Sequence, residues 1–471
     1  MKVTLLYPGI VGVGFNSLGK GGMDRNWINL GLAYIGSCLK NSGHDVDLID
    51  LRDCANWSHV ATEMRKRNPD VFGVYVNTPN YNHAIQCCAI ARQMGKIVVA
   101  GGPHATIHPD ELIEAGHADH VITGEGEISF VELLEELQAK RKADRIIQGK
   151  KVENLDDLPF PARELYPVEK ISRPAGNFPF MDNGHILLTS RGCPFQCAFC
   201  QPLGKKLFGK IIRQRSVENV ILELKHLIHV YRVNYVSFQD DTLTVRRDWV
   251  LELCRRIREE KLALQWSAQS RADTFDEELA KAMSEAGCVC LFFGFESGSQ
   301  KILDFLRKGI KPEQSVRAAQ LCKKYGILIF ADYMIGVPTE TEEDLLKTVS
   351  MAEKIRAEIP SLTYFTPIPG SDLYDYCRDR DLLNIESYED YTRNPYGEKV
   401  RGIDYKLLST YKDRILGSKP KWYSEKHYAS LAFKRWSFLA QKGMVGPLCK
   451  EVLSSSMNDT MIAAIRRYRS G

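Results

Sequence analysis

Two series of alternating strand and helix patterns, separated by a proline-rich boundary, constrain the fold of this chain more than any other feature. The first series covers residues 1–144 and the second begins at residue 184. Alternation of this kind with short connections predicts parallel sheets that carry helices on their faces. The sequence therefore predicts two α/β domains, which suits a chain of 471 residues.

The first series predicts a doubly wound, flavodoxin- or Rossmann-like domain. Its predicted strands are 3–7, 45–50, 71–76, 97–100 and 118–122, and its predicted helices are 30–40, 59–67, 84–94, 110–115 and 128–138. Such sheets bind ligands at the carboxyl ends of their strands. Glycines in the loops there let the backbone approach a broad, flat ligand closely. No G-x-G-x-x-G motif opens a helix, which disfavours a dinucleotide.

The segment 158–162, Leu-Pro-Phe-Pro-Ala, marks the boundary between the two series. Two prolines within three residues interrupt helix and strand alike. We predict a linker over residues 145–183.

The second series predicts a partial (β/α)6 barrel over residues 184–384. Its predicted strands are 186–189, 235–238, 264–267, 291–295, 327–334 and 363–366. Six units are too few to close an eight-stranded barrel, so we expect an open one whose functional face lies at the carboxyl ends of the strands. One intervening helix has an apolar stripe from Val217 to Ile228, and Ser216 is its expected N-cap.

Three cysteines directly after the first strand of the second series form the one group of thiols with ligand spacing. They are Cys193, Cys197 and Cys200. Structural zinc requires four ligands, whereas a 4Fe–4S cluster held by three thiolates leaves one iron open to a small molecule. The other cysteines are scattered, so free thiols in a reducing compartment are expected rather than a disulfide framework.

Polar residues follow the other predicted barrel strands, and they are candidates for the same rim. Asp240, Arg271 and Glu296 follow the second, third and fourth strands, and Ile335 and Gly336 end the fifth. Helix capping is the alternative use for such residues, above all for Asp241 and Ser299, each of which precedes a predicted helix.

Residues 385–471 predict a basic, mostly helical C-terminal domain. Residues 401–471 hold 14 Lys and Arg against 5 Asp and Glu, which favours an anionic, partly apolar partner. Tyr428, Leu431, Trp436 and Leu439 share one predicted helical face, which suits either a cap on the barrel or peripheral membrane contact. The sequence has no long basic stripe of the kind that binds nucleic acid, which disfavours a nucleic-acid partner. The first residues read as a strand without the apolar core of a signal peptide, so we expect no signal peptide. No apolar run approaches the ~20 residues of a membrane span, and we therefore expect a cytoplasmic protein.

In combination, these motifs resemble the radical S-adenosylmethionine (SAM) superfamily. The cysteines fit its C-x3-C-x2-C motif, with Phe199 before the last one. The motifs GFESGS at 294–299, IGVPTET at 335–341 and PIPGS at 367–371 also match. The resemblance implies a 4Fe–4S cluster that binds SAM beside Phe199. It also implies that Asp240 and Glu296 hold the methionyl amine or ribose of SAM, Arg271 its carboxylate or a ribose oxygen, and the backbone at Ile335 and Gly336 its adenine.

The first domain is similar to the cobalamin-binding domain that precedes the barrel in one branch of this superfamily. The matching pieces include GGPH at 101–104 and GEGE at 124–127. No Asp-x-His-x-x-Gly occurs in the first domain, so the resemblance implies histidine-off cobalamin, with the loop 78–81 as a positional candidate for the lower cobalt face. The implied cobalamin contacts are Thr78, Gly101, Gly102, Pro103, His104, Gly124 and Glu125, although His104 and His108 also suit loop or capping roles.

The resemblance implies a cobalamin-dependent C-methyltransferase that methylates an unactivated carbon. One SAM would methylate Co(I) cobalamin, and a second would supply a 5′-deoxyadenosyl radical that removes hydrogen from a small-molecule substrate. An external donor of flavodoxin or ferredoxin type would supply electrons. The alternatives are a cyclase, ring-contracting or oxidative enzyme with the same cofactors, a methylthiotransferase, which would need a second cluster, and a non-catalytic cobalamin sensor or carrier.

Overall fold

The computed structural model describes residues 1–9, 15–18, 27–171, 184–200, 208, 211–391 and 397–418. Most of the predicted C-terminal domain, including Tyr428, Leu431, Trp436 and Leu439, lies outside the described residues. The described part contains two parallel six-stranded sheets, so the α/β fold class predicted from the sequence is confirmed.

The first sheet has the strand order β2-β1-β3-β4-β5-β6, and every neighbouring pair is parallel. This is the doubly wound order in which the chain reverses direction between β1 and β3. The strands are β1 Lys2–Tyr7, β2 Asp45–Asp50, β3 Val71–Tyr75, β4 Ile97–Gly101, β5 His120–Thr123 and β6 Ile146–Gln148.

The sequence pattern does not predict β6, which lies in the expected linker 145–183. It has only three residues, which pair with β5 at the edge of the sheet, and Ile146 is 37% exposed. A strand this short carries no alternation that a sequence pattern could show.

Helices cover both faces of the first sheet, and an apolar core lies on each side. Asn29 caps the first of them, since its side chain accepts a hydrogen bond from the Leu32 amide at 2.9 Å. The helices are α1 Leu30–Asn41, α2 Trp57–Arg67, α3 Tyr81–Gln93, α4 Pro103–Ile107, α5 Pro109–Glu114 and α6 Ser129–Gln138.

The segment after β6 packs back onto the first domain before it enters the barrel. The Ala162 amide donates to the Ala33 carbonyl at 3.0 Å, and Ser37 Oγ donates to the Phe160 carbonyl at 2.5 Å. A short helix, α7 Val168–Ile171, follows. These bonds join the described linker to α1.

The second sheet contains all six predicted barrel strands in the order β14-β13-β12-β11-β10-β7, all parallel. In the described residues β7 and β14 are its two edges, so the barrel is open as expected. The strands are β7 Gly184–Leu187, β10 Tyr235–Phe238, β11 Gln265–Ser270, β12 Cys288–Glu296, β13 Leu328–Ile335 and β14 Ile359–Tyr364.

Helices cover the outer face of this sheet and enclose the largest apolar core in the described residues. Ser216 is the N-cap of the first outer helix, as predicted, and its Oγ accepts from the Asn219 amide at 3.1 Å. The helices are α8 Val217–Val230, α9 Arg247–Glu259, α10 Glu277–Glu285, α11 Gln300–Phe305, α12 Pro312–Tyr325, α13 Glu342–Ile355, α14 Asp372–Arg378 and α15 Tyr405–Leu416.

A two-stranded antiparallel ribbon stands beside the barrel sheet. It consists of β8 Ser190–Arg191 and β9 Arg213–Gln214, in which Arg191 lies opposite Arg213. The chain between these strands, residues 192–212, carries the three cysteines. The ribbon therefore closes the base of the cysteine loop.

Candidate active site between the two domains

A single cavity of about 640 Å³ is lined by the carboxyl-edge loops of both sheets. The first domain contributes loops after β4 and β5, and the barrel contributes the cysteine loop together with the ends of its strands. Because the two edges face each other, ligands of the two domains would lie side by side.

All three predicted cluster cysteines line this cavity. Cys197 is buried, Cys193 is half-buried and Cys200 is exposed. No group of three or more His, Cys, Asp or Glu residues in the described ranges is close enough to hold one metal ion. A 4Fe–4S cluster makes a different demand, because each thiolate binds a different iron and the sulfurs need not converge on one point. Three thiols around a cavity fit a cluster.

Two buried cations lie beside the cysteines. Arg271 Nη1 is 3.7 Å from Cys197 Sγ, and the Arg271 guanidinium stacks 3.6 Å from the centroid of the Phe195 ring. Lys308, which the sequence analysis did not select, lies behind it, where Arg271 Nη2 donates to the Lys308 carbonyl at 2.6 Å. Two positive charges therefore line the cavity next to Cys197.

Lys308 forms an ion pair with Glu296, whose Oε1 is 2.9 Å from Lys308 Nζ. Burial lowers the pKa of Lys308, but the neighbouring Glu296 and Cys197 outweigh burial and raise it overall. Both residues line the cavity. Glu296 ends β12 with a φ of +60°, a left-handed conformation that is uncommon for a residue other than glycine. A Cβ on Gly294 would lie 2.4 Å from Glu296 Oε1, so glycine leaves room for this pair.

Asp240, predicted to touch SAM, does not line the cavity. Its carboxylate is fully buried and accepts hydrogen bonds from the Thr189 amide at 3.0 Å, Thr189 Oγ1 at 2.8 Å and Ser190 Oγ at 2.5 Å. It fixes the chain that leads from β7 into the ribbon, which is a different role from the one expected.

The neighbouring Asp241 lines the cavity instead. Its carboxylate has no hydrogen-bond or ion-pair partner among the described residues, and it caps no helix, because the N-cap of α9 is Arg246. This side chain is exposed, and partial desolvation by the surrounding protein raises the pKa of its carboxyl. The capping alternative also fails for Ser299, whose Oγ donates to Asp344 Oδ1 at 2.6 Å rather than capping α11.

Ile335 and Gly336, predicted to contact adenine, do not line the cavity, whereas the preceding residue Met334 does. Ile335 is fully buried, and the Gly336 amide donates to Glu340 Oε2 at 2.6 Å. The cavity wall on this side is formed by Met334 and by residues 363–366 and Ile368.

Five of the seven predicted cobalamin contacts line the cavity, namely Gly101, Gly102, Pro103, Gly124 and Glu125. Gly102 has a φ of +106°, and a Cβ there would lie 3.0 Å from both the Val76 carbonyl and the Tyr75 ring. Glycine at this position therefore lets the loop pack closely against the end of β3.

Thr78 and His104 lie away from the cavity, contrary to expectation. Thr78 Oγ1 is 3.2 Å from His104 Nδ1, and His104 Nε2 is 3.4 Å from Glu111 Oε2. Burial lowers the pKa of His104 to about 4, although Glu111 acts in the opposite direction. The 78–80 turn contacts the turn Tyr388–Asp390 instead of a ligand site.

The cavity continues into the first domain as an apolar slot between the sheet and helices α1 and α6. The slot is lined by Leu5, Gly73, Val99, Ile122 and Phe130. A Cβ on Gly73 would lie 2.8 Å from Leu5 Cδ2, so glycine keeps the slot open. A glycine-rich rim above an apolar slot fits cobalamin, which combines a broad ring with a nucleotide arm that ends in an apolar dimethylbenzimidazole base.

Four charged side chains join the two domains at the edge of the cavity. Arg191 Nη2 is 2.5 Å from Glu127 Oε1, and Arg191 Nη1 is 3.3 Å from Glu125 Oε2. Arg213 also pairs with Glu125 and donates to the Val152 carbonyl at 2.5 Å. We call Arg191, Arg213, Glu125 and Glu127 the ionic junction. Sequence reasoning missed Arg191 and Arg213, because no local pattern connects them with carboxylates more than sixty residues away.

Family models match both domains of this chain. The Radical SAM superfamily model matches residues 187–352, and the B12 binding domain model matches residues 23–134. The fold and the cavity agree with both assignments, so the class of protein is a radical SAM enzyme with a B12-binding domain.

Relatives and a solved structure place the chain more closely. It is 36% identical to "Uncharacterized methyltransferase PH0819" from Pyrococcus horikoshii, over 77% of this chain and 81% of that protein. It is 27% identical to the anaerobic magnesium-protoporphyrin IX monomethyl ester cyclase of Rubrivivax gelatinosus, over 82% of this chain and 72% of that protein. The structure of the radical SAM methyltransferase TsrM from Kitasatospora setae has a TM-score of 0.67 at 18% identity, over 90% of each chain, which supports the fold.

The chain belongs to the radical SAM superfamily, in the branch whose members carry a B12-binding domain. The predicted cofactors, a 4Fe–4S cluster, SAM and cobalamin, are confirmed as those of this family. In the part of the chain that the structure describes, no helix has the length and apolar character that a bilayer span requires.

Proposed function

We propose that this chain is a cobalamin-dependent radical SAM C-methyltransferase that methylates an unactivated carbon of a small molecule. The observation that carries the proposal is the shared cavity, which the three cluster cysteines and the glycine loops of the B12-binding domain line together. The resemblance to PH0819, which is named as a methyltransferase, supports the same reaction class. When bound, SAM and cobalamin supply the radical and the methyl chemistry, and the protein supplies their placement.

The residues around the cysteines suit the two charged ends of the SAM methionyl group. We assign the cluster to Cys193, Cys197 and Cys200, the SAM amine to Glu296 and Asp241, and the carboxylate to Arg271 and Lys308. All of these side chains line the cavity. Asp240 holds the cysteine loop from behind, and Ile335 and Gly336 support the Met334 wall.

Phenylalanines around this region exclude water from the reacting groups. Phe195, Phe199 and Phe292 line the barrel side of the cavity, and Phe199 lies 5.6 Å from Lys308 Nζ. A dry site strengthens the contacts of Glu296 and Arg271 with a charged ligand and protects a radical from quenching by solvent groups.

The second candidate is a cyclase or another oxidative enzyme that uses the same cofactors without methyl transfer. It is favoured by the similarity to the Rubrivivax gelatinosus cyclase, which extends over 82% of this chain. The two reactions differ in one product, because methyl transfer from SAM leaves S-adenosylhomocysteine.

For the substrate we propose an anionic, partly apolar small molecule, with a flavodoxin- or ferredoxin-type electron donor. The support is the excess of basic residues in 401–471 together with the aromatic side chains of the cavity. Peripheral membrane contact remains part of this proposal, through the predicted face with Tyr428 and Trp436.

Anaerobic reconstitution with iron, sulfide and hydroxocobalamin, followed by addition of SAM and titanium(III) citrate, tests the reaction class. We expect both 5′-deoxyadenosine and S-adenosylhomocysteine, measured by mass spectrometry. Cys197→Ala should abolish 5′-deoxyadenosine. Absence of S-adenosylhomocysteine from the wild-type protein would favour the cyclase alternative.

Asp240 and Asp241 give a matched pair of variants for the SAM site. Asp241→Asn should raise the SAM concentration needed for half-maximal 5′-deoxyadenosine formation about tenfold while leaving the Tm unchanged, because it loses a charge-assisted contact. Asp240→Asn should lower the Tm, because it weakens three buried hydrogen bonds. Equal effects of the two variants on SAM binding would contradict the assignment.

A further inference from the structure

We infer that Arg191 is a positioning residue that sets the placement of the SAM site relative to the cobalamin site. The inference rests on the proposed function and concerns the base of the cysteine loop. Arg191 is 8% exposed, and its two carboxylate partners, Glu125 and Glu127, are 4% and 5% exposed. These charges lie on different domains and meet at the cavity.

The position of Arg191 in the chain links this contact to the cluster. Arg191 ends β8 and lies two residues before Cys193, so the two Cα atoms are at most about 7 Å apart. Gly192 between them has a φ of +94°, a conformation that turns the chain sharply. A shift of Arg191 therefore moves the first cluster ligand.

The ribbon places two arginines on one carboxylate. Arg191 and Arg213 are cross-strand partners at the two ends of the cysteine loop, and both reach Glu125. Like charges directly opposite each other repel, so the ribbon base is stable only with the carboxylate between them. The first domain thus completes the base of a loop that belongs to the barrel.

A separate anchor attaches the same chain to the barrel. Asp240, at the carboxyl end of β10, binds Thr189 and Ser190 immediately before Arg191. The Arg191 guanidinium also lies 5.4 Å from the ring centroid of Tyr34, on α1 of the first domain. The chain entering the cysteine loop is consequently held on one side by the barrel and on the other by the first domain.

Two half-reactions separate this positioning role from a general structural role. Formation of 5′-deoxyadenosine requires SAM and the cluster, both bound by the barrel. Formation of S-adenosylhomocysteine without substrate requires the SAM methyl group to leave its sulfonium for reduced cobalamin, with the C–S electron pair remaining on sulfur. Only the second reaction depends on how the two domains are placed.

The experiment compares Arg191→Met with wild type, using SAM, hydroxocobalamin and titanium(III) citrate. We expect S-adenosylhomocysteine formation to fall about 100-fold, the cost of a displacement near 1 Å, while 5′-deoxyadenosine formation and cobalamin binding change little. Arg191→Lys should restore part of the loss. The matched control is Arg256→Met, which removes an arginine that also pairs with two glutamates, Glu218 and Glu260, but lies on the outer helices.

Parallel loss of both products, or no change in S-adenosylhomocysteine, would overturn the inference. If Arg191→Met does not fold, Glu127→Gln takes its place, with a selective loss of about tenfold expected and the same two outcomes counting against it. Amide hydrogen exchange of apo protein is the independent readout, and Arg191→Met should increase exchange in residues 189–200 whereas Arg256→Met should not. If wild type yields no S-adenosylhomocysteine, the proposed function fails, and hydrogen exchange alone then decides the role of Arg191.

Discussion

Among the contacts that join the first domain to the rest of the described chain, two have opposite character. One is the ionic junction, in which Glu125 and Glu127 meet two arginines of the ribbon. The other, which we call the aromatic latch, consists of Tyr81, His104 and Glu111 of the first domain with Tyr388 of the C-terminal segment. In the latch the Tyr388 hydroxyl donates to Glu111 Oε2 at 2.9 Å, and the Tyr388 ring lies 4.9 Å from that of Tyr81.

The difference between the two contacts lies in what each requires of geometry. Buried ion pairs seldom add net stability, because desolvation offsets their attraction, but they are costly to break and they favour one arrangement. Ring packing tolerates small displacements and contributes through buried area. The ionic junction lies at the cavity, where the relative placement of the two domains determines the reaction. The latch lies away from the cavity, where holding the two parts of the chain together is sufficient.

The largest expected effect comes from breaking the ionic junction with Glu125→Ala. This variant leaves Arg191 and Arg213 without their shared carboxylate, and removal of one partner from a buried pair costs about 3–5 kcal/mol. Urea denaturation measures the free energy of unfolding. Glu132→Ala, which breaks the exposed pair with Lys150, is the control and should cost less than about 1 kcal/mol. Equal costs would show that the ionic junction is no tighter than a surface pair.

The aromatic latch should weaken in acid. His104 has its pKa lowered to about 4 by burial, so the folded state binds fewer protons than the unfolded state between pH 6.5 and 4. Stability is therefore complete above pH 6.5 and decreases as pH falls toward 4, by up to about 3 kcal/mol at 1.4 kcal/mol per pKa unit. Thr78, Tyr81, His108, Glu111 and Tyr388 surround the imidazole.

Denaturation at a series of pH values checks this prediction. In His104→Gln the decrease between pH 6.5 and 4 should be smaller than in wild type, because the group that takes up the proton is absent. The same slope in both proteins would assign the acid sensitivity to other groups.

The smallest effect is expected from Tyr388→Phe, which removes one hydrogen bond of the latch and keeps its ring. The loss should be about 1 kcal/mol, since the hydroxyl donates to a carboxylate that is partly accessible to water. Hydrogen exchange should increase in residues 78–82. Tyr411→Phe is the control, because it removes a similar bond between α15 and Glu342 of the barrel and should leave residues 78–82 unchanged.

Much of the fold could be predicted because its signals are local. Strand and helix patterns located eleven of the twelve strands of the two sheets, and the cysteine spacing selected a loop that lines the cavity. The missing strand, β6, has three residues and depends on β5 for its hydrogen bonds. Local patterns cannot show an element that forms only through its neighbour.

The residues of the candidate site were harder to predict, because the direction in which a side chain points is determined only in the folded chain. Asp240 and Asp241 are adjacent and identical in type, yet one is buried behind the cysteine loop and the other lines the cavity. Thr78 and His104 follow strand ends as expected but bind each other. Lys308 follows α11 rather than a strand end, so the strand-end pattern does not indicate it.

The ribbon base bears on how such enzymes can be recombined. The two ends of the cysteine loop are held by a carboxylate of the first domain, so the barrel that carries this loop cannot be exchanged on its own. Transplanting this barrel behind a different B12-binding domain would preserve the cysteines and the strands while removing Glu125 and Glu127. A functional chimera would therefore need Glu125 and Glu127 to be transferred together with the barrel. The segment that must be exchanged is thus larger than either domain.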